Sequence, residues 1–304
     1  MSRGSIPGSE LENPLTVSIQ HRFFMTVGQV MRSPMRLVQY GLLFGGTVVV
    51  GILLHVSTWE MAQEELPVIY IITPTHRRHT QKADLTRLAN TLRQVPSLHW
   101  IVVEDATSQS TLVAGVLARS GLPYTHMNVP RPDFCKTGCV ARGTEQRNLG
   151  MEWLRKNRGP QDSGVVYFAD DDNTYDLQLF EEMRYTKHVS VWPVGLIAAR
   201  WYERPKVRDG KVVGWYTGFG GRKFGTDMAG FAVNLSLILA NPQAQFVLKG
   251  AKRGMQETDF LRQLTTVQDL EPKANNCTKV LVWHTRTEFA PLYQHVPENI
   301  VIEV

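Results

Sequence analysis

The chain has 304 residues, 43% of them apolar and 20% charged, with a formal net charge of +5. That balance is ordinary for a globular protein, and the length allows a large core and one or two domains. The positive charge is spread along the chain without the dense Lys/Arg stripe expected of a nucleic-acid binder, so no nucleic-acid partner is expected, while charge otherwise says little about partners and leaves anionic small substrates open.

Residues 1–36 are polar and irregular and carry no predicted fold. Leu37 to Val56 then run for roughly 20 residues without a charge, enough to cross about 30 Å of hydrocarbon as a helix. Arg22, Arg32 and Arg36 precede this stretch and Glu60, Glu64 and Glu65 follow it. The positive-inside bias then predicts a cytoplasmic tail (1–36), a single-pass signal anchor (37–56) and a short stem (57–66), with residues 67–304 on the far side. The competing reading of 37–56 is a buried core helix, which its isolation before any folding unit disfavours.

Pro67 to Thr73 reads as a first strand, and Leu85, Leu88, Ala89 and Leu92 mark one face of a following helix. Trp100 to Val103 is a second strand, ending at Glu104 and Asp105. Leu112, Val113, Val116 and Leu117 predict a second helix, and Gly143 to Lys156 a third. Gly164 to Ala169, β-branched and aromatic, predicts a central strand that runs into Asp170, Asp171 and Asp172. Strand–helix alternation at this spacing implies parallel βαβ units, with Asp105 and the triplet at one sheet edge. Further on, Val194 to Ala199 reads as a strand, Val212 to Phe219 as a hairpin, and Asp227 leads a lone acid into an apolar run. Val280 to Arg286 is expected to be a strand on which His284 and Arg286 point to one side.

The triplet is the most informative feature. Adjacent carboxylates repel, so their collection at the end of a buried strand implies a nearby cation that carries a phosphorylated ligand. The alternative is a solvated acidic turn capping the helix that begins near Tyr175. No Walker or GxGxxG loop is present, and no calcium-loop spacing follows. Cys135 and Cys139 lie four apart in a Pro/Gly-rich loop and could pair, leaving Cys277 single. Two sequons begin at Asn234 and Asn276, and only Asn276, outside an apolar run, is expected to be an acceptor.

Taken together, the blocks Thr73-Pro74-Thr75, Val103 to Ala106, Arg142 to Asn148, Tyr167 to Tyr175, Trp192 to Leu196, Asp227 to Val233 and Leu281 to Glu288 resemble the β1,3-glucuronosyltransferases, the galactosylgalactosylxylosylprotein 3-β-glucuronosyltransferase type. The resemblance implies a GT-A-type α/β fold: a Rossmann-like nucleotide-binding half (67–190), an acceptor-binding half (191–304) and one preceding transmembrane helix. It also implies a homodimer in the Golgi membrane, type II, with the catalytic domain lumenal. The implied reaction is inverting transfer of glucuronic acid from UDP-glucuronate to the 3-hydroxyl of a terminal β-galactose, on the proteoglycan linkage region or on glycoprotein glycans.

The implied cofactor is Mn2+, with Asp172 as its direct ligand and Asp170 and Asp171 contacting nucleotide or sugar. Physical chemistry agrees that carboxylates cannot hold a diphosphate without a bridging cation. Asp105 matches the acid that holds uracil. Arg142 and Arg147 would cover nucleotide and sugar, and His284 and Arg286 the phosphates. Inversion requires a carboxylate base at the acceptor hydroxyl. From the residues alone Glu257 is one acid among 28, beside an equally plausible Asp259; the resemblance selects Glu257. Glu203, Arg222, Asp227 and Arg253 match residues that bind acceptor or donor sugar.

Two positions depart from the pattern. His76 stands where the family has a Tyr that stacks on uracil, and Phe219 where it has an acceptor-stacking Trp. The tail beyond Glu288 also leaves the pattern. These departures keep two alternatives open: the same fold with another UDP-sugar, or an inactive glycan-binding paralogue.

Overall fold

The computed structural model describes residues 66–135 and 142–288, which fall in one compact unit that begins at Leu66. The expected anchor at 37–56, nearly all of the stem, Cys139 and the divergent tail lie outside the described residues. Among the described residues, no helix is long and apolar enough to cross a membrane.

The first half follows the predicted alternation, with one strand, β3, added: β1 (Val68–Thr75), α1 (Gln81–Leu92), β2 (Leu98–Glu104), α2 (Thr111–Ser120), β3 (Tyr124–Asn128), α3 (Thr144–Asn157) and β4 (Gly164–Phe168). Next come β5 (Thr174–Tyr175), α4 (Leu177–Arg184), β6 (Val189–Val191), β7 (Val194–Gly195), β8 (Tyr202–Arg208), β9 (Lys211–Tyr216), β10 (Phe231–Asn234), α5 (Leu235–Ala240), α6 (Gln256–Leu261), β11 (Leu270–Pro272) and β12 (Val282–Trp283). Seven strands form a Rossmann-like sheet in the order β11-β6-β10-β4-β1-β2-β3, and five form a smaller sheet in the order β5-β12-β7-β8-β9. In the large sheet, β4, β1, β2 and β3 pair in parallel, whereas β10 runs antiparallel to both β4 and β6.

Alternation along β1 divides the core in two, because successive strand residues face opposite sides of a sheet. Ile69 and Ile71 pack with Leu85, Leu88, Val113 and Leu117 of α1 and α2. Tyr70 and Ile72 face the other way, toward Met151, Leu154, Phe231, Phe246 and Phe260. Only a glycine fits at position 150, where a Cβ would come within 2.7 Å of Ile72; α3 therefore lies tight on β1.

The second half departs from expectation in three places. Only Val194–Gly195 of the Val194–Ala199 segment is strand, because Leu196, Ala198 and Ala199 adopt positive φ and end it. The hairpin is β8–β9, starting ten residues earlier than expected, and it turns on Asp209-Gly210 at φ +50° and +71°, the combination a tight hairpin requires. The final strand stops at Trp283, so His284 and Arg286 extend beyond it and do not alternate on a strand. Cys135 is disulfide-bonded and Cys277 is free and buried, in keeping with a 135/139 pairing.

Candidate active site

Strands β1, β2 and β4 run in parallel and end at one edge, at Thr75, Glu104 and Phe168. The register pairs Ile72 with Phe168, so three residues further along Thr75 meets Asp171. Thr75 Oγ1 donates to Asp171 Oδ2 at 2.6 Å, and Arg78 Nη2 reaches Asp171 Oδ1 at 2.8 Å. Burial pushes the Asp171 carboxyl up to about 6, while Arg78 and Thr75 pull against it. Both oxygens of Asp171 are thus engaged by the protein. Asp170 Oδ1 accepts from Arg147 Nη2 at 2.6 Å.

Asp172 differs from its neighbours. Among the described residues, its carboxylate forms no hydrogen bond or ion pair with another residue. Its carbonyl oxygen is fixed by Arg87 Nη2 at 2.9 Å and Thr285 Oγ1 at 2.7 Å. Burial, and then the Asp170 charge, raise its pKa above the usual carboxylate value. A desolvated, unpaired carboxylate beside a second acid suits a hard divalent cation. Among the described residues, no group of three or more His, Cys, Asp or Glu side chains could hold a metal alone. A cation at Asp172 would therefore need oxygens from a bound ligand.

The edge opens into a cleft of about 410 Å³, lined by His76, Asp105, Arg131, Arg142, Arg147, Asp170, Asp171, Asp172, His284 and Arg286 among others. Its volume falls within the span of small-molecule sites. Arg142 and Arg286 are exposed there without a protein partner among the described residues. Asp105 is already held by Arg131, through its backbone N–H at 2.8 Å and its guanidinium Nε and Nη2 at 2.6 Å each. Burial, followed by the charges of Arg78 and Arg131, keeps His76 below the ordinary imidazole pKa, so the ring is neutral at pH 7. Arg78 and Arg131 went unnoticed in the sequence; the turn formers Pro130 and Pro132 around Arg131 were the available signal.

The Arg142 to Asn148 block is explained side chain by side chain. Gly143, at φ +73°, starts α3, and a Cβ there would collide with Arg147. Gln146 Nε2 donates to the Val129 carbonyl at 2.8 Å. Asn148 exchanges hydrogen bonds with the Phe246 backbone at 2.9 and 3.0 Å. Thr144 accepts from Gln256, the residue before Glu257. One helix start therefore joins the triplet to the start of α6.

On the opposite side, β8 and the loop after β9 are locked together. Glu203 Oε1 accepts from Thr217 Oγ1 at 2.6 Å and from the Gly218 amide at 2.7 Å, and its Oε2 pairs with Arg222 Nη2 at 3.2 Å. Arg222 also donates to the carbonyls of Thr226 and Gly254 and lies 5.5 Å from the centre of the Phe219 ring. Glu203 and Arg222 are thus satisfied within the protein, while Phe219 stays exposed. Asp227 Oδ1 accepts from the Ala229 amide at 3.0 Å, and its Oδ2 faces His284 Nδ1 across 3.8 Å, an ion-pair distance too long for a hydrogen bond. The Asp227 partnership holds His284 above its ordinary pKa; burial raises Asp227, but His284 and the Ala229 amide bring it below the usual value.

Glu257 lies at the start of α6 with Oε2 shut from solvent and without a partner. The side chain as a whole is partly accessible, so the burial is that of the oxygen. Desolvation, and next the Asp227 charge, push its carboxyl up to about 7. Arg253 stands exposed with no partner among the described residues. Asn276 lies exposed on a turn, Ala274–Cys277, whose residues all have positive φ.

The chain is similar to named proteins over most of its length. Human galactosylgalactosylxylosylprotein 3-beta-glucuronosyltransferase 2 is 63% identical over 227 residues, 74% of this chain and 70% of that protein. Human galactosylgalactosylxylosylprotein 3-beta-glucuronosyltransferase 1 is 56% identical over 235 residues, 74% and 70% of the two chains. Among solved structures, Staphylococcus aureus TarS 1–349 in complex with UDP-GlcNAc shows 15% identity and a TM-score of 0.44, covering 73% of this chain and 60% of that one. The sequence profile of glycosyltransferase family 43 matches residues 88–288, so the chain belongs to glycosyltransferase family 43.

Proposed function

We propose that the chain is an inverting β1,3-glucuronosyltransferase of GT-A type, moving glucuronic acid from UDP-glucuronate to the 3-hydroxyl of a terminal β-galactose. The observation that carries this reading is a pair of carboxylates with unpartnered oxygens, Asp172 in the cleft and Glu257 at the start of α6, whose neighbour Gln256 donates to the cleft residue Thr144. Asp172 lines the cleft together with Arg142 and Arg286, whereas Glu257 presents a dry oxygen on a carboxyl pushed up to about 7. The names of its relatives supply the sugar and the linkage.

In this reading Glu257 Oε2 takes the proton of the acceptor hydroxyl as that oxygen bonds to C1 of the glucuronate, and the C1–O bond to UDP breaks on the opposite face. His284, held above its ordinary pKa by Asp227, lies with Arg286 and Arg142 to offset the charge gained by departing UDP, so no acid is needed there. Asp172, with the diphosphate oxygens, would hold Mn2+, whose chemistry is Lewis-acid stabilisation of the leaving group. His76 and Asp105, the latter shared with Arg131, form the uracil end. Asp171 serves as the buttress beneath Asp172. Phe219 offers an apolar face to the acceptor beside the Glu203–Arg222 pair, with Asp227 and Arg253 on the sugar side. Residence in the Golgi membrane through residues 37–56, a lumenal catalytic portion, glycosylation at Asn276 and a homodimer belong to the same proposal.

The test is the full chain in detergent, assayed with a panel of UDP-sugars on linkage-region and N-acetyllactosamine acceptors. Preference for UDP-glucuronate is expected; preference for UDP-galactose or UDP-N-acetylglucosamine would overturn the reading. The acceptor that turns over faster decides between proteoglycan and glycoprotein glycans.

A further inference from the structure

Asp84 lies in the first turn of α1, outside the cleft lining, with its side chain 1% exposed. A carboxylate buried so deeply needs partners, and Asp84 has four. Oδ2 accepts from Arg78 Nη2 and from Thr80 Oγ1, each at 2.8 Å. Oδ1 accepts from Arg87 Nη2 at 3.2 Å and from Thr287 Oγ1.

Three of the partners lead on to the cleft. Arg78 Nη2 also reaches Asp171 Oδ1 at 2.8 Å. Arg87 Nη2 donates to the Asp172 carbonyl at 2.9 Å, and its Nη1 to Thr287 Oγ1 at 3.3 Å. Thr287 follows Arg286 directly, and Thr285 donates to the same Asp172 carbonyl. One carboxylate therefore ties the acidic triplet after β4 to the basic segment after β12, the two oppositely charged stretches that a bound ligand must span.

We propose that Asp84 is a positioning residue of the donor site. Through Arg78 and Arg87 it orients Asp171 and Asp172, and through Thr287 it sets the spacing of His284 and Arg286 for a nucleoside diphosphate. This rests on the donor-site reading above.

The experiment titrates UDP into the full-length chain by calorimetry, with and without Mn2+, beside thermal melts and steady-state kinetics. Thr287→Val and Arg87→Met are each expected to weaken Mn2+-dependent UDP binding by about 10-fold, the scale of losing a group that orients a metal ligand. KM for UDP-glucuronate rises in step, with kcat and the melting temperature little changed. Arg87→Lys, which keeps a donor for the Asp172 carbonyl, recovers part of the loss. Asp84→Asn loses more, and if it fails to fold the other variants decide. Unaltered UDP affinity in both Thr287→Val and Arg87→Met, with the parent chain binding normally, removes Asp84 from the donor site and leaves the glucuronosyltransferase reading standing. A parent chain that binds no UDP with Mn2+ present brings down both.

Discussion

Arg222 and Glu203 form a nearly dry ion pair, Nη2 to Oε2 at 3.2 Å, with side chains only 5% and 3% exposed. Removing one partner strands the other charge in a desolvated site, at a cost of about 3–5 kcal/mol. Glu203→Ala is therefore expected to lower stability by that amount in urea unfolding, and to loosen the loop that carries Phe219. A loss below about 1 kcal/mol, the scale of an exposed pair, would show that water reaches the site.

Glu257→Gln keeps the shape of the side chain and removes its basicity. The expected result is a fall in kcat of about 10²–10⁴, the usual worth of a general base, with UDP binding intact. Undiminished turnover would take Glu257 out of the mechanism and turn attention to Asp259.

In the proposed mechanism the same residue sets the pH profile. Glu257 accepts a proton only when ionised, so kcat/KM should rise with pH through a limb centred near its pKa of about 7. Stability moves the other way. The folded pKa lies above the ordinary value of 4.5, so the contribution of this group is complete below pH 4.5 and is lost as pH climbs through 7. Glu257→Gln should melt near the parent at pH 5 and above it at pH 8. Equal melting temperatures at both pH values would mean that its carboxyl is solvated.

Asp172→Asn retains size but loses the charge that a divalent cation requires. Mn2+-dependent UDP binding should disappear from calorimetric titrations, leaving only the weak metal-independent contribution of the cleft arginines. An unchanged Mn2+ dependence would shift the metal assignment to another residue.

Ala198 and Ala199 hold φ of +53° and +56°, a region that costs an L-residue about 1–2 kcal/mol. Either residue replaced by glycine should relieve part of this strain and raise the melting temperature by about 2–4 °C per kcal/mol regained. A lower melting temperature would indicate that the alanine methyl groups pack more favourably than the backbone strains; Ala198 Cβ does lie close to Gly218.

The first half was legible because its elements are regular. Ile69 to Ile72 alternate between two cores, and Leu85, Leu88 and Leu92 repeat at helical spacing, so periodicity alone ordered β1, β2 and β4 with the helices between them. β3 was missed, since no residue of Tyr124–Asn128 is fully buried and the segment has no apolar run. In the second half β5, β6, β7, β11 and β12 shrink to two or three residues, too short for a pattern. The Asp209-Gly210 turn was the readable signal for the hairpin, yet the aromatic run beside it drew attention to the wrong segment. For the site, the acidic triplet announced itself. The division of labour within it did not, because it depends on Thr75, Arg78 and Arg147 arriving from elsewhere in the chain.

Strand β10 enters the large sheet beside β4 in the opposite sense, so the stretch leading into β10 arrives where β4 departs. Asp227 is thereby delivered to the same rim as Asp170 by the segment upstream of its strand. The segment between β7 and β10 is an excursion from that rim, anchored by the β8–β9 hairpin of the smaller sheet and by buried Val212 and Phe224, with an exposed stretch at Gly218–Gly221. Such an excursion can change length or aromatic content, as the Gly218–Gly221 stretch invites, while the sheet and the acidic triplet stay put. New acceptor preferences can accordingly arise in this chain by remodelling one peripheral loop, with the nucleotide end untouched.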